Sequence, residues 1–68
     1  MKLETGDVLT LESNNEYMII GTYDIDEKSY CIAQNENDIG KIILFENIDD
    51  QIRIIKDKNE IDNILNKI

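Results

Sequence analysis

The stretch GTYDIDEKSYC, Gly21 to Cys31, holds a glycine, two tyrosines, three carboxylates and the only cysteine of a 68-residue chain. Its letters suit either a site or a turn. Asp24, Asp26 and Glu27 could hold a cation or move a proton, or they could close a hairpin between two strands. The flanks decide between these. Glu16-Tyr-Met-Ile-Ile-Gly-Thr-Tyr23 precedes the acids and Lys28-Ser-Tyr-Cys-Ile-Ala-Gln34 follows them, both rich in the β-branched and aromatic residues that suit strands. Acids collected between two such runs predict a solvated hairpin loop at Asp24 to Glu27. Gly21, inside a strand, predicts a bulge, a bend or a close backbone approach.

Working outward, Asp7-Val-Leu-Thr-Leu-Glu12 alternates as a half-buried strand, and Ser13-Asn-Asn15 supplies the turn that joins it to residues 16–23. In that second strand Tyr17 and Ile19 oppose Met18 and Ile20, so both faces are expected to be at least partly covered. Beyond residues 28–34, the polar segment Asn35 to Gly40 leads to a strand at 41–46, and Asn47 to Asp50 leads to one at 51–56. The period then changes. Ile61, Ile64, Leu65 and Ile68 recur at helical spacing, predicting an amphipathic helix over about 58–67 that starts at Asp57 with Glu60 completing a capping box. The expected fold is mainly β: a five-stranded antiparallel meander, forming a small SH3-like barrel or a strongly curved sheet, with one C-terminal helix. A flatter sheet would leave one row of isoleucines bare and favour a dimer.

Composition narrows the chemistry. A chain this short buries only about 60% of the surface its unfolded form exposes, so fourteen isoleucines must supply most of the core. Homodimerisation is an open alternative source of stability. The net charge is −8, with two Lys against seven acids before residue 35 and five Lys or Arg against eight acids after it. Phosphate backbones repel such a chain, so no direct nucleic-acid binding is expected, and basic proteins are the partners it approaches fastest. No apolar run is long enough for a membrane span, and Met1 to Asp7 has no signal-type stretch, so the expected location is cytoplasmic.

The motifs for catalysis and cofactors fail in turn. A calcium loop begun at Asp24 would put Lys28, Ser29 and Asn35 where a ligand, a glycine and a bidentate glutamate are required. Cys31 has no histidine anywhere in the chain to activate it, and zinc and haem sites lack their ligands, so no metal or cofactor is expected. Gly6, Gly21 and Gly40 are too far apart for a phosphate loop. Paired acids at Asp49-Asp50 and Glu36-Asn-Asp38 sit in polar loops, where carboxylates stay solvated, so no enzyme is expected.

Three segments, Asp7-Val-Leu-Thr-Leu, Asn14-Asn-Glu-Tyr-Met-Ile-Ile20 and Lys28-Ser-Tyr-Cys-Ile-Ala33, precede an acidic amphipathic end. In this order the chain resembles small acidic proteins of unknown function from Gram-positive bacteria and their phages, over roughly residues 7–68. It departs from them in carrying Asn and Lys where many have long acidic runs. The resemblance carries over no site residue. In type the chain is also similar to short acidic phage inhibitors that occupy basic grooves as nucleic-acid mimics. The expectation is a non-catalytic interaction module that docks on a basic or nucleic-acid-binding protein through Asp24, Asp26, Glu27, Glu36, Asp38, Asp49 and Asp50. Two alternatives remain. One is a small barrel that binds single-stranded nucleic acid or a small ligand through Tyr17, Tyr23 and Tyr30; the other is a self-assembling structural subunit.

Overall fold

A computed structural model describes residues 3–11, 14–49 and 51–68. Five antiparallel strands follow one another across one sheet in chain order: β1 (Val8–Leu11), β2 (Asn15–Ile25), β3 (Lys28–Asn35), β4 (Ile42–Ile48) and β5 (Gln51–Ile54). A helix, α1 (Lys58–Leu65), completes the chain. The fold is mainly β, and the meander curls into a half-barrel.

The hairpin between β2 and β3 is tighter than the sequence suggests. Register runs from Tyr23↔Tyr30 through Asp24↔Ser29 to Ile25↔Lys28, so β2 continues to Ile25 and only Asp26 and Glu27 turn the chain. Both have positive φ, +51° and +68°, the geometry that matches a two-residue turn to strand twist. The same correction applies to β4, which continues through Asn47 to Ile48, where Ile48 pairs with Gln51 of β5. The four-residue breaks expected at 24–27 and 47–50 are shortened because the polar ends of β2 and β4 still join the ladder. At the other end of the sheet, β5 stops at Ile54, although the Ile55 amide still donates to Leu44 O at 2.9 Å.

A register shift between Ile19 and Gly21 makes Ile20 the extra residue of a bulge, as the glycine predicted. A bulge increases local twist and bends its strand. The curl brings Leu9 and Leu11 of β1 and Ile52 and Ile54 of β5 around Tyr17, Ile19, Cys31, Ala33 and Phe45, closing one face of the sheet on itself. Tyr17, Ile19 and Phe45 are completely buried there.

The opposite face needs a separate cover, and α1 supplies it. Ile61 and Ile64 pack on Tyr30, Ile32, Leu44 and Ile55. Asp57 caps the helix, its Oδ1 accepting from the Asn59 amide at 3.1 Å. The capping box does not form, because the Glu60 carboxylate turns to Arg53 instead. The helix ends at Leu65, two residues before the expected limit, and Leu65 and Ile68 stay 46% and 50% exposed. Both faces of β2 are at least partly covered, as expected: Tyr17 and Ile19 are completely buried, while Met18 and Ile20 on the helix side of the sheet are 38% and 43% exposed.

Gly21 leaves room for the Tyr23 ring to lie back along β2. A Cβ there would stand 2.6 Å from Tyr23 Oη and 2.9 Å from the ring. Gly21→Ala should therefore push the ring outward and destabilise the fold by about 1–2 kcal/mol. In a double-mutant cycle with Tyr23→Ala most of that cost should vanish, as measured by urea unfolding. Glu27, a non-glycine residue at φ +68°, carries the opposite expectation. Glu27→Gly should raise stability by about 0.5–1 kcal/mol in the same assay.

Candidate functional site

The meander sorts the predicted docking carboxylates into two groups. The β2–β3 and β4–β5 turns lie at one end of the sheet, where Glu27 and Asp49 border the same shallow polar depression as Lys28, Ser29, Glu46 and Asn47. Asp24, in β2 rather than in the loop, accepts from the Ser29 hydroxyl at 3.0 Å. Asp26 pairs with Lys67 Nζ at 3.0 Å, tying the turn to the end of the chain beyond α1. Asp50 lies outside the described residues. Glu36 and Asp38 belong to the β3–β4 loop at the far end, about 25 Å away along the eight residues of β3. The sequence-predicted set is thus two acidic ends and not one surface.

The far loop is built around Asn35, whose buried side chain accepts from the amides of Asn37 and Asp38 at 2.8 and 3.0 Å. Asp38 in turn accepts from the Gly40 amide at 3.2 Å. These bonds hold Glu36 and Asp38 at the surface, and the Glu36 amide donates to Glu16 O at 3.0 Å, bringing a third acid alongside.

Sequence reading missed the ionic centre of the fold. Register aligns Tyr23, Tyr30, Glu46 and Arg53 in one row across four strands on the helix side. Glu46 is 6% exposed, and its Oε1 accepts from Arg53 Nε at 3.1 Å and Nη2 at 2.7 Å. The same guanidinium donates to Glu60 of α1, at 2.7 Å from Nη2 to Oε2 and 3.4 Å from Nη1 to Oε1. Arg53, the only arginine, thus clips β4, β5 and α1 together. The hydrogen bonds it donates to Glu60 and Glu46 push the guanidinium pKa up, and the bond from Arg53 holds the Glu60 carboxyl below its ordinary value. The available signal was turn length. Pairing of Ile48 with Gln51 places Glu46 opposite Arg53, whereas a four-residue break from Asn47 hides the pair.

The tyrosines do not make a stacking platform. Tyr17 is fully buried in the curled core, while Tyr30 lies under α1 at 6% exposure, so the two occupy different faces of the sheet. Only Tyr23 is partly exposed. Cys31 is buried as expected, and burial, followed by the charge of Asp24, pushes its thiol pKa up, away from the nucleophilic thiolate. Among the described residues no group of His, Cys, Asp or Glu is placed to hold a metal ion, and no helix is long and apolar enough to cross a membrane.

A separate surface feature is apolar. Register sets Val8, Met18, Gln34 and Ile42 in a row across β1 to β4, on the same sheet face as α1 but beside it. Val8 and Ile42 are 47% and 55% exposed, and Ile39, whose carbonyl accepts from Gln34 Nε2 at 2.8 Å, is 76% exposed. At the β4 end of this row, between Ile42 and α1, lies a groove of about 330 Å³ lined by Ile42, Leu44, Ile54, Ile55, Ile61 and Leu65. No family model matches the chain, and no match was found among curated proteins or solved structures.

The Glu60–Arg53 pair predicts an acid response with a definite sign. A carboxyl held below its unfolded value stabilises the fold above the ordinary glutamate range, roughly pH 4.3, and that contribution fades as pH falls through the lower folded value. Glu60→Gln should flatten this part of the stability–pH profile. Arg53→Gln should destabilise more than Glu60→Gln, since it strands a buried Glu46, and adding Glu46→Gln should restore part of the loss. Thermal melts between about pH 3 and 7 would read both effects.

Proposed function

We propose that the protein is a non-catalytic, acidic protein-interaction module. In this reading it is an accessory regulator or phage-type inhibitor that docks on a basic partner and competes for that partner's nucleic-acid-binding surface. The observation that carries the reading is the placement of its charge. With −8 in 68 residues, the fold buries Glu46 against Arg53 and leaves Asp24, Asp26, Glu27, Glu36, Asp38 and Asp49 at the surface, Asp26 in an exposed pair with Lys67.

Carboxylates at the two ends of a rigid sheet create a field that attracts cationic surfaces and repels phosphates. Their role is association, not proton transfer: none lies in an enclosed pocket with a nucleophile or an activating base. Burial of Tyr17 and Tyr30 removes the aromatic surface on which direct binding of single strands would depend.

Replacing Asp24, Asp26 and Glu27 together by Asn, Asn and Gln should leave the fold intact and weaken capture of a basic partner. The Asp26–Lys67 pair that this removes is exposed and contributes only about 0–1 kcal/mol. Affinity capture at low and raised salt, followed by mass spectrometry, measures this. Recovery of no basic or nucleic-acid-binding protein at low salt would overturn the proposal, as would direct binding of fluorescent single-stranded DNA or RNA.

A further inference from the structure

We infer that the bare half of the helix-side sheet face is a seat for a basic amphipathic helix of the partner protein, lying alongside α1. The inference rests on the acidic-module reading and adds to it the form of the partner and the place where it docks.

The geometry begins with the direction of α1. Its first turn is held at β5 by Glu60 and Arg53, and the residues after its last turn reach the β2–β3 turn through Lys67 and Asp26, so the helix runs across the strands. The row Val8, Met18, Gln34 and Ile42 also runs across the strands, on the same face as α1. Along each strand this row lies two and four residues beyond the rows that α1 covers, about 7–14 Å away. Two helices packed side by side stand about 8–10 Å apart, so a second helix fits over the bare row without displacing the first. The row crosses four strands, about 15 Å, the length of roughly ten helical residues.

Both walls of this seat have a defined chemistry. Leu65 and Ile61 of α1 form the inner wall, and Ile42, Met18, Ile20 and Val8 form an apolar floor left 38 to 55% exposed. Acids form the outer wall. Glu16 precedes Met18 by two residues on the same strand face, Glu36 lies beside Met18 and Ile39, and Asp38 follows in the same loop. Lys41 and Lys56 stand at the β4 end of the seat, so its acidic pole lies toward β2 and β3. An occupant with an apolar stripe toward the floor and Lys or Arg on the flank facing Glu16, Glu36 and Asp38 matches both features. A second copy of this chain does not: it carries −8 and would bring like charge against the same rim.

Two synthetic peptides of identical Leu and Lys composition, about 18 residues long, test the seat: one with leucines at helical spacing, the other with them scattered. Each is titrated into the full chain at low salt while side-chain methyl resonances are followed by NMR. The expected result is saturable shifts at Met18, Ile20, Ile42 and Leu65 with the amphipathic peptide, and binding at least about tenfold weaker with the scattered one. Ile42→Gln and, independently, Met18→Gln should each weaken the amphipathic peptide by about fivefold or more, with folding checked by amide spectra. Ile48→Gln, at the opposite end of the sheet, should have no effect.

Equal binding of both peptides, with shifts confined to the acidic loops, would overturn the helix seat and leave the acidic-module reading standing. If neither peptide binds, both fall. Sedimentation of the chain alone as a dimer that Ile42→Gln dissolves would assign the face to a second copy and overturn the inference.

Discussion

One sheet of five short strands has two apolar faces, and the chain provides a single eight-residue helix to cover them. The bulge at Ile20 resolves this constraint. By inserting one residue opposite β3 it bends β2, so that β1 and β5 fold toward each other and bury Tyr17, Ile19 and Phe45 without a second layer. The helix is then free to cover the other face. Even so it covers only part of it, because a helix with side chains is about 10–12 Å across and the sheet is about twice as wide. The exposed row beside α1 follows from that mismatch in size.

Charge is arranged around the same constraint. Opposite the curled core the sheet buries a carboxylate, Glu46, which is tolerable only because Arg53 stands in the next strand and donates two bonds to it. That guanidinium also reaches Glu60, so the residue that neutralises a buried acid also positions the start of α1. Glu27 and Asp49 at one end of the sheet, and Glu36 and Asp38 at the other, lie in solvated turns and loops. A partner that engages this protein therefore meets apolar side chains flanked by carboxylates, the pattern expected of a surface in which apolar contact supplies affinity and charge supplies rate and orientation.

The elements were legible in the residues, while their ends were not. Alternation in Asp7 to Leu11, the apolar runs around Gly21 and Cys31, and the helical spacing of Ile61 and Ile64 announced five strands and a helix in the order observed. Boundaries failed where polar residues belong to the ladder: Asp24 and Asn47 look like loop but pair with Ser29 and Ile52. The carboxylates proposed for docking that the structure describes are exposed, but one list of residues became two ends of a sheet, because adjacent turns of a meander point in opposite directions. The tyrosine face failed for a related reason: Tyr17 and Tyr30 alternate onto different sides of the sheet once the bulge has shifted the register.

Local chemistry in the chain determined the β-rich class, the glycine-marked bulge, the Asp57 cap and the acidity, each of which depends on a residue and its near neighbours. The clip at Arg53, the burial of Glu46 and the bare row beside α1 depend on strand register and on which face a helix reaches, and these are set only when distant segments pack. Register shifts by a single residue reverse every side chain's face, so no local pattern could have settled them before β2 paired with β3 and β4 with β5.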